Sequence, residues 1–352
     1  MDIFERLARK LDELPQGFPH TESGVELRIL RHIFDEEDAA MALKLTPRFE
    51  TAEDIARRLE QPVAETRTRL DEMAIKGQIG SFKMGGHQMY RLMPFVIGIY
   101  EQQRQSRLTH ELVHLFEEYL PMLSQVAGGH PPHVARVIPA HGAISPELVL
   151  LPHEDIRQII DRAKSFRVQD CICRREQALL GKQCHHATKT CLQFSMEADA
   201  YAYFKLDGDI ITREDALKIA IEAENEGLVH TTHNVKDLPA GFLCNCCSCC
   251  CGLIRSLKEY HSPFVLAKSN YVAHIDPDSC QACGVCRDER CPMDAIEEGE
   301  GVYQVIDNRC IGCGVCVITC PGEAIALVAR SEADRDLIAQ DMQDWGQKKL
   351  ER

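Results

Sequence analysis

The chain has 352 residues, 45% of them hydrophobic, with 40 basic against 54 acidic residues and a net charge of −14. Such a length holds two or three domains with cores of their own. The acidic balance argues against non-specific binding to nucleic acid or anionic membrane and suits docking on basic partner surfaces.

The outlying count is cysteine, at 18 residues. The opening MDIFERLARKLDEL mixes acids with bases and lacks an unbroken apolar run, so it does not read as a secretory leader. The most apolar window, LMPFVIGIY, is too short to span a bilayer. A cytoplasmic location is expected, where thiols stay reduced and clustered cysteines read as metal ligands.

In chain order, GVELRILRHIF and FDEEDAAMALKL predict two helices. TAEDIARRLEQPVAETRTRLDEMAIKGQI predicts two more, broken at Gln61-Pro62, with apolar faces Ala52/Ile55/Ala56/Leu59 and Val63/Leu70/Met73/Ala74. IGSFKMGGHQMYRLMPF predicts a hairpin turning at Gly85-Gly86. Helices followed by a hairpin resemble a winged helix-turn-helix over residues 24–95, within a first domain of 1–95. The second helix of the pair, 62–76, sets Arg67, Arg69 and Lys76 against Glu65, Asp71 and Glu72. Residues 1–95 hold 14 basic and 17 acidic residues, or −3. A DNA reader needs a basic face for its phosphate contacts. Protein docking or a scaffold role is therefore preferred to specific DNA binding.

Residues 96–165 read as a helical connector. ELVHLFEEYL and HEDIRQIIDRAKSF predict helices, AGGHPP breaks the chain, and RVIPAHGAI and LVLLP read as short extended pieces. There is no Gly-rich nucleotide loop and no nucleophile elbow, and the isolated His130 and His141 receive no catalytic role.

Residues 166–262 carry ten cysteines and read as a helical cysteine-rich domain. Cys171, Cys173, Cys184 and Cys191 form one group; the run CNCCSCCC, with Cys244, Cys246, Cys247, Cys249, Cys250 and Cys251, forms the other. Between them, ITREDALKIAIEAENEGLVH predicts a helix capped by Thr212 and Asp215, ending at Gly227 and able to pack beneath the sites. A C-x-C pair in extended chain puts both sulfurs on one side. Cys171 and Cys173 are thus expected to seize one cluster that Cys184 and Cys191 close. Arg174 and Arg175 stand ready to offset its charge and donate to its sulfurs. Four of the six thiols in the run suffice for one more cluster, the other two being spare or ligands to the first. Zinc competes for either group. His185, His186, His230 and His233 are expected to be surface or hydrogen-bonded histidines rather than ligands.

Residues 271–328 contain one pattern twice: Cys280, Cys283, Cys286, then Cys291-Pro292; and Cys310, Cys313, Cys316, then Cys320-Pro321. The second copy is C-x-x-C-x-x-C-x-x-x-C-P, and it resembles the two-cluster bacterial ferredoxin run. The first has an extra residue before its fourth cysteine, expected to bulge a loop without removing a ligand. Gly284, Gly312 and Gly314 let backbone approach a cluster. YVAHID, YQVID and AIALV read as short strands. The resemblance implies one [4Fe-4S] cluster on Cys280, Cys283, Cys286 and Cys320, and another on Cys310, Cys313, Cys316 and Cys291. Zinc prefers pairs of C-x-x-C with a longer spacer.

Taken whole, the chain resembles multidomain [4Fe-4S] ferredoxin-type proteins of anaerobes. The expected layout is α+β: a winged-helix-like domain, the connector, the cysteine-rich domain, a two-cluster ferredoxin domain at 268–332, and a C-terminal helix at 333–352. The resemblance implies an electron relay through two ferredoxin clusters and one or two more in the middle. The relay would serve a redox partner or an anaerobic oxidoreductase complex. A redox-sensing regulator acting through the winged helix is the alternative. An enzyme with an open iron is a third reading, which needs a substrate pocket.

Overall fold

The computed structural model describes residues 2–351 except Arg104, Glu147, Val149 and Lys205, with Gln105 described for its backbone alone. The chain starts with α1 (Ile3–Asp12), whose Asp2 and Glu5 form a reciprocal capping box. α2 (Val25–Ile33), α3 (Glu36–Ala42), β1 (Glu50–Thr51), α4 (Ala52–Leu59), α5 (Val63–Ile75), β2 (Gly80–Met84) and β3 (His87–Arg91) follow. The three strands pair in the order β1-β3-β2.

α6 (His110–Ala127) packs on α2 and completes this first core, burying Leu112, Phe116, Tyr119 and Leu120. Tyr100 stacks on Phe116 with ring centroids 3.6 Å apart. The apolar window near 92–100 is thus core, and no helix among the described residues is long and apolar enough to cross a membrane.

The middle of the chain corrects the expectation of a helical domain. β4 (Ala135–Ile138), β5 (Ser165–Gln169), β6 (Cys191–Ser195), β7 (Asp209–Ile211), β8 (Val229–His233), β9 (Ala240–Cys246) and β10 (Leu266–Ala267) form one seven-stranded sheet, in the order β10-β4-β8-β9-β6-β5-β7. Only β10 and β4 run parallel among its pairs. Helices α7 (Ile156–Arg162), α8 (Ile172–Leu179), α9 (Arg213–Asn225) and α10 (Gly252–Lys258) punctuate it. The physical reason is a set of short strands whose apolar side chains pair across the sheet, such as Phe166/Val168 against Leu192/Phe194. The supposed connector supplies α6 to the first core and β4 to the sheet. LVLLP lies in no strand at its described residues, and Val149 falls outside them. α9 is capped as expected by Thr212 and Asp215, with Gly227 beyond its end at φ +82°.

The cysteine-pattern segment has β11 (Tyr271–Ile275) paired with β14 (Ile325–Ala329), and β12 (Ile296–Glu298) paired with β13 (Tyr303–Val305), all antiparallel. It is anchored from both ends. Glu154 accepts from the buried Arg136 of β4 at 3.2 Å and from Asn270, just ahead of β11. After β14 the chain returns to the sheet module, bridging Val235 to Ala339. The expected C-terminal helix, α11 (Met342–Leu350), starts later than residue 333; its buried Trp345 Nε1 donates to His133 O at 2.8 Å.

Candidate iron–sulfur centres

The doubled motif makes two thiol-lined cavities of about 20 Å³ each. One is lined by Cys280, Cys283, Cys286 and Cys320; the other by Cys310, Cys313, Cys316 and Cys291. Each quartet takes three cysteines from one copy and the fourth from the other, as the resemblance implies. The copies match in detail: Ala295 N–H donates to Cys291 Sγ at 3.2 Å, and Ala324 N–H to Cys320 Sγ at 3.3 Å.

Gly284, Gly312 and Gly314 all have positive φ. At Gly312 a Cβ would stand 2.0 Å from Tyr271 O and 2.2 Å from Ser269 Oγ, so no larger residue fits. The extra residue before Cys291 is absorbed in a π-helical turn, Cys286–Arg290, closed by Cys291 N–H to Cys286 O at 3.0 Å. The turn presents Arg290 to the end of α9, where it donates to Asn225 O at 2.9 Å and Glu224 O at 3.1 Å.

The quartets differ in exposure. Cys283 is exposed, whereas Cys310, Cys313 and Cys316 are buried. Burial pushes the bare Cys313 thiol up to about 12 and Cys286 to about 11. These thiols therefore become thiolates only with a cation beside them. The buried quartet faces the sheet module: Ala140 N–H donates to Cys313 O at 2.8 Å, and Ala143 packs against Gly314.

The ten middle cysteines gather at one end of the sheet, where β5 and β9 finish and β6 and β8 begin. Their grouping differs from the expected one. Cys184 does not join Cys171, Cys173 and Cys191. It meets Cys247, Cys249 and Cys250, all four sulfurs lying within 4.8 Å of one another. Cys171, Cys173 and Cys191 instead join Cys244, Cys246 and Cys251 around a cavity of about 110 Å³, whose wall Cys247 of the other group also borders. The reason is the chain's path. β9 carries Cys244 and Cys246 on one side, then the turn closed by Cys251 N–H to Cys247 O at 3.2 Å swings Cys247, Cys249 and Cys250 away. Cys251, one of the six thiols of which any four could serve, lines the six-thiol cavity as the N-cap of α10. Nothing in the spacing singles it out.

Cys171 and Cys173 do not share one extended stretch either, for Cys171 is extended but Cys173 is helical. Cys171 is the N-cap of α8 and Cys173 lies in its first turn, where the helix dipole favours negative charge. Cys246 is lowered to about 5, mainly by a hydrogen bond with Cys244. The rest of the cavity wall is mostly apolar, with Ile97, Tyr100, Phe116, Leu120 and Val265 among its residues, and Glu101, Gln169, Thr190 and Asn245 add polar groups.

Arg174 sits between the two middle groups. It is buried and donates to Ala187 O at 2.7 Å, Thr190 Oγ1 at 2.6 Å and Asn245 O at 2.8 Å. Burial opposes its charge, but Cys171 and Cys247 more than offset that and hold its pKa above the usual value. Its buried Nε–H has no partner among the described residues, a donor available to an anionic sulfur. Arg175, expected beside it, points to solvent. His230 is held between Asn245 Oδ1 at 2.7 Å and Glu224 Oε1 at 3.1 Å, and His233 stacks on Phe242. His185 is exposed and His186 approaches Glu226 at 3.5 Å. None of the four touches the thiol cavities as a lining residue.

Residues 273–334 match the 4Fe-4S dicluster domain family. Among curated proteins, an uncharacterized ferredoxin of Methanocaldococcus jannaschii is 36% identical over 86 residues, covering 24% of this chain and 54% of its own. The electron transport protein HydN of Escherichia coli K12 is 32% identical over 69 residues, covering 18% of this chain and 39% of its own. Hydrogenase-4 component A of the same strain is 30% identical over 87 residues, covering 24% and 41%. The chain thus spans about half the length, or less, of these relatives. No solved structure matches it. The donor sets, the N–H groups aimed at Cys291 and Cys320 and the unpartnered Arg174 Nε–H all fit iron–sulfur clusters, and the dicluster segment carries [4Fe-4S] chemistry.

Proposed function

We propose that this chain is an iron–sulfur electron-transfer protein working in an oxidoreductase complex. The observation that carries the reading is the pair of thiol quartets built reciprocally from the two motif copies. Cys280, Cys283, Cys286 and Cys320 would hold one cluster, and Cys310, Cys313, Cys316 and Cys291 the second. Each cluster supplies a one-electron couple. The printed names of HydN and of the hydrogenase component favour a complex as the setting.

Exposure orders the route. The quartet with the exposed Cys283 faces a redox partner, and the buried quartet passes electrons inward. A third cluster on four of Cys171, Cys173, Cys191, Cys244, Cys246 and Cys251 ends the relay. Apolar side chains link these centres continuously: Cys246 and Cys251 share one buried cluster with Cys286, Cys310, Cys313 and Cys316. The chain's own residues hold and shield these centres, and Arg174 balances thiolate charge.

The N-terminal module is a winged-helix scaffold in this reading, not a DNA reader. Arg67 pairs with Glu53, Arg69 with Asp38 at 2.9 Å, and Lys76 with Asp38 at 2.7 Å, so the second helix offers no free cation among these three to a phosphate. A second reading rests on the six-thiol cavity, about five times larger than either ferredoxin-like cavity. The surplus apolar space suits a small substrate at an open iron.

The test is iron, sulfide and EPR analysis of the full chain purified without oxygen. Two magnetically interacting [4Fe-4S] signals after reduction are expected, plus a third that Cys246→Ser removes. Metal at the quartets without sulfide would sink the proposal. A shift of the third signal alone by added cyanide would favour the substrate-site reading.

A further inference from the structure

We propose that Cys184, Cys247, Cys249 and Cys250 bind a single zinc ion, distinct from every iron–sulfur centre in the chain. The argument is one of size. Four thiolates on one tetrahedral zinc, each with a bond of about 2.3 Å, stand about 3.8 Å from one another, the tetrahedral edge being 1.63 bond lengths. Cys184 Sγ lies 3.9 Å from Cys247 Sγ and 3.7 Å from Cys249 Sγ, and Cys249 Sγ lies 3.6 Å from Cys250 Sγ. Thiols on the four corners of a cubane are held further apart by the cube between them.

The same chain provides the contrast. The two ferredoxin-like quartets each surround an open cavity. Yet among the described residues only the Cys184 group brings three or more His, Cys, Asp or Glu ligand atoms within 4.8 Å of one another. Its four sulfurs stand against one another, whereas the six thiols beside it, with Cys247 at the shared wall, line an open cavity.

The surroundings suit a closed structural ion. Cys247 and Cys250 are buried against Ala223 and Leu228 at the end of α9, and Cys173 and Cys184 pack on the same cluster. Cys184 comes from residues 182–187, which form no helix or strand. One ion would pin that segment to the 247–250 turn and so fix one wall of the six-thiol centre. Four thiols give up four protons on binding zinc, leaving a net −2 unit. Arg174, directed at Cys247 and with its Nε–H unpartnered, is the cation positioned to offset it.

The test uses the full chain purified anaerobically. Zinc analysis should give one zinc per chain beside the iron and sulfide, and zinc-edge X-ray absorption should give four sulfurs at about 2.3 Å. Cys249→Ser, which changes the exposed member of the set, should lose zinc to a chelator at least tenfold more readily. Its iron, sulfide and reduced EPR signals should stay unchanged. Absence of stoichiometric zinc, nitrogen or oxygen in its coordination shell, or loss of iron or sulfide from Cys249→Ser with zinc retained would overturn the proposal. The absorption measurement needs no variant, so it decides even if Cys249→Ser misfolds. Missing sulfide would count against the electron relay and leave the zinc result standing.

Discussion

Arg290 sits in the turn created by the extra residue of the first motif copy, and its removal tests whether that residue serves docking. Its guanidinium donates to Asn225 O at 2.9 Å and Glu224 O at 3.1 Å, carbonyls at the end of α9, and reaches Val315 O at 3.3 Å. The group is half-buried and screened by solvent, so each of the two shorter bonds is worth about 1 kcal/mol, as for an ordinary neutral hydrogen bond. A cation at a helix C-terminus adds about 0.5 kcal/mol. Arg290→Ala should therefore weaken the contact between the dicluster segment and α9 by about 2.5 kcal/mol. At 1.36 kcal/mol per decade, that is roughly a seventyfold rise in the population of the open contact. Hydrogen exchange reads it directly at Gly227 and Leu228, whose N–H groups bond Glu224 O at 3.0 Å and Ala223 O at 2.9 Å. Exchange should accelerate there and around Val315, while the reduced dicluster signals persist. Arg290→Lys, which keeps the charge but loses the fork, should recover less than half of the protection. Unchanged exchange at Gly227 and Leu228 in Arg290→Ala would refute the docking role. Loss of dicluster iron would instead make Arg290 part of the cluster site.

Three further outcomes are expected. Arg255 grips Glu117 with bonds of 2.6 and 2.9 Å and, despite burial, holds that carboxyl down at about 2, while buried Glu176 beside it is pushed up to about 9. Arg255→Met should cost about 2–3 kcal/mol of unfolding free energy at pH 7. Because the folded pKa of Glu117 is depressed, that contribution is present above its unfolded value near 4.5 and fades as pH falls towards 2; denaturant melts at pH 7 and pH 3 that differ equally from wild type would contradict it. Cys250→Ser should lower bound zinc and spare iron, whereas Cys251→Ser should lower iron and spare zinc; the same metal profile in both would show that these neighbours do not serve separate sites. Selection of genomic fragments on oxidised and reduced protein at moderate salt should enrich no DNA site, and a site abolished by Arg67→Ala would make the chain a regulator.

The legible parts of this chain are those whose meaning is local. The ligand triplets, the Cys-Pro ends and the turn glycines sit within a few residues of one another, so spacing alone carries them. The N-terminal helices announce themselves by apolar period, and Gly85-Gly86 by turn chemistry. The middle module fails on both counts. Its inner strands bury Arg136, Arg167, His230, Thr231, Thr232 and Asn245, so the alternation that reveals a strand is blurred. α9, the longest helix there, is its most legible element and favours a helical reading of the whole segment. Grouping cysteines by proximity in sequence also failed. Cys184 and Cys247 stand 63 residues apart, and only strand order brings them together.

The same strand order sets the N-terminal module against the middle sheet and its thiols. Its apolar end does not close on itself. Ile97, Tyr100, Phe116 and Leu120 turn their side chains to the six-thiol cavity, and Tyr100 O–H donates to the buried Glu176 Oε2 at 3.1 Å. The hairpin tip is engaged as well: Gly85 N–H donates to Glu197 Oε1 at 3.3 Å, and Tyr203 O–H meets Asp71 Oδ2 of α5 at 3.2 Å. A reading head for DNA must leave its second helix and wing free to enter a groove. Here the cations of α5 are bound by carboxylates and the wing tip is held by the sheet module. What the module contributes is a largely apolar wall with Glu101 set in it. Burial raises the energetic cost of every charge near the six thiols, so their environment is set in part by residues that carry no thiol.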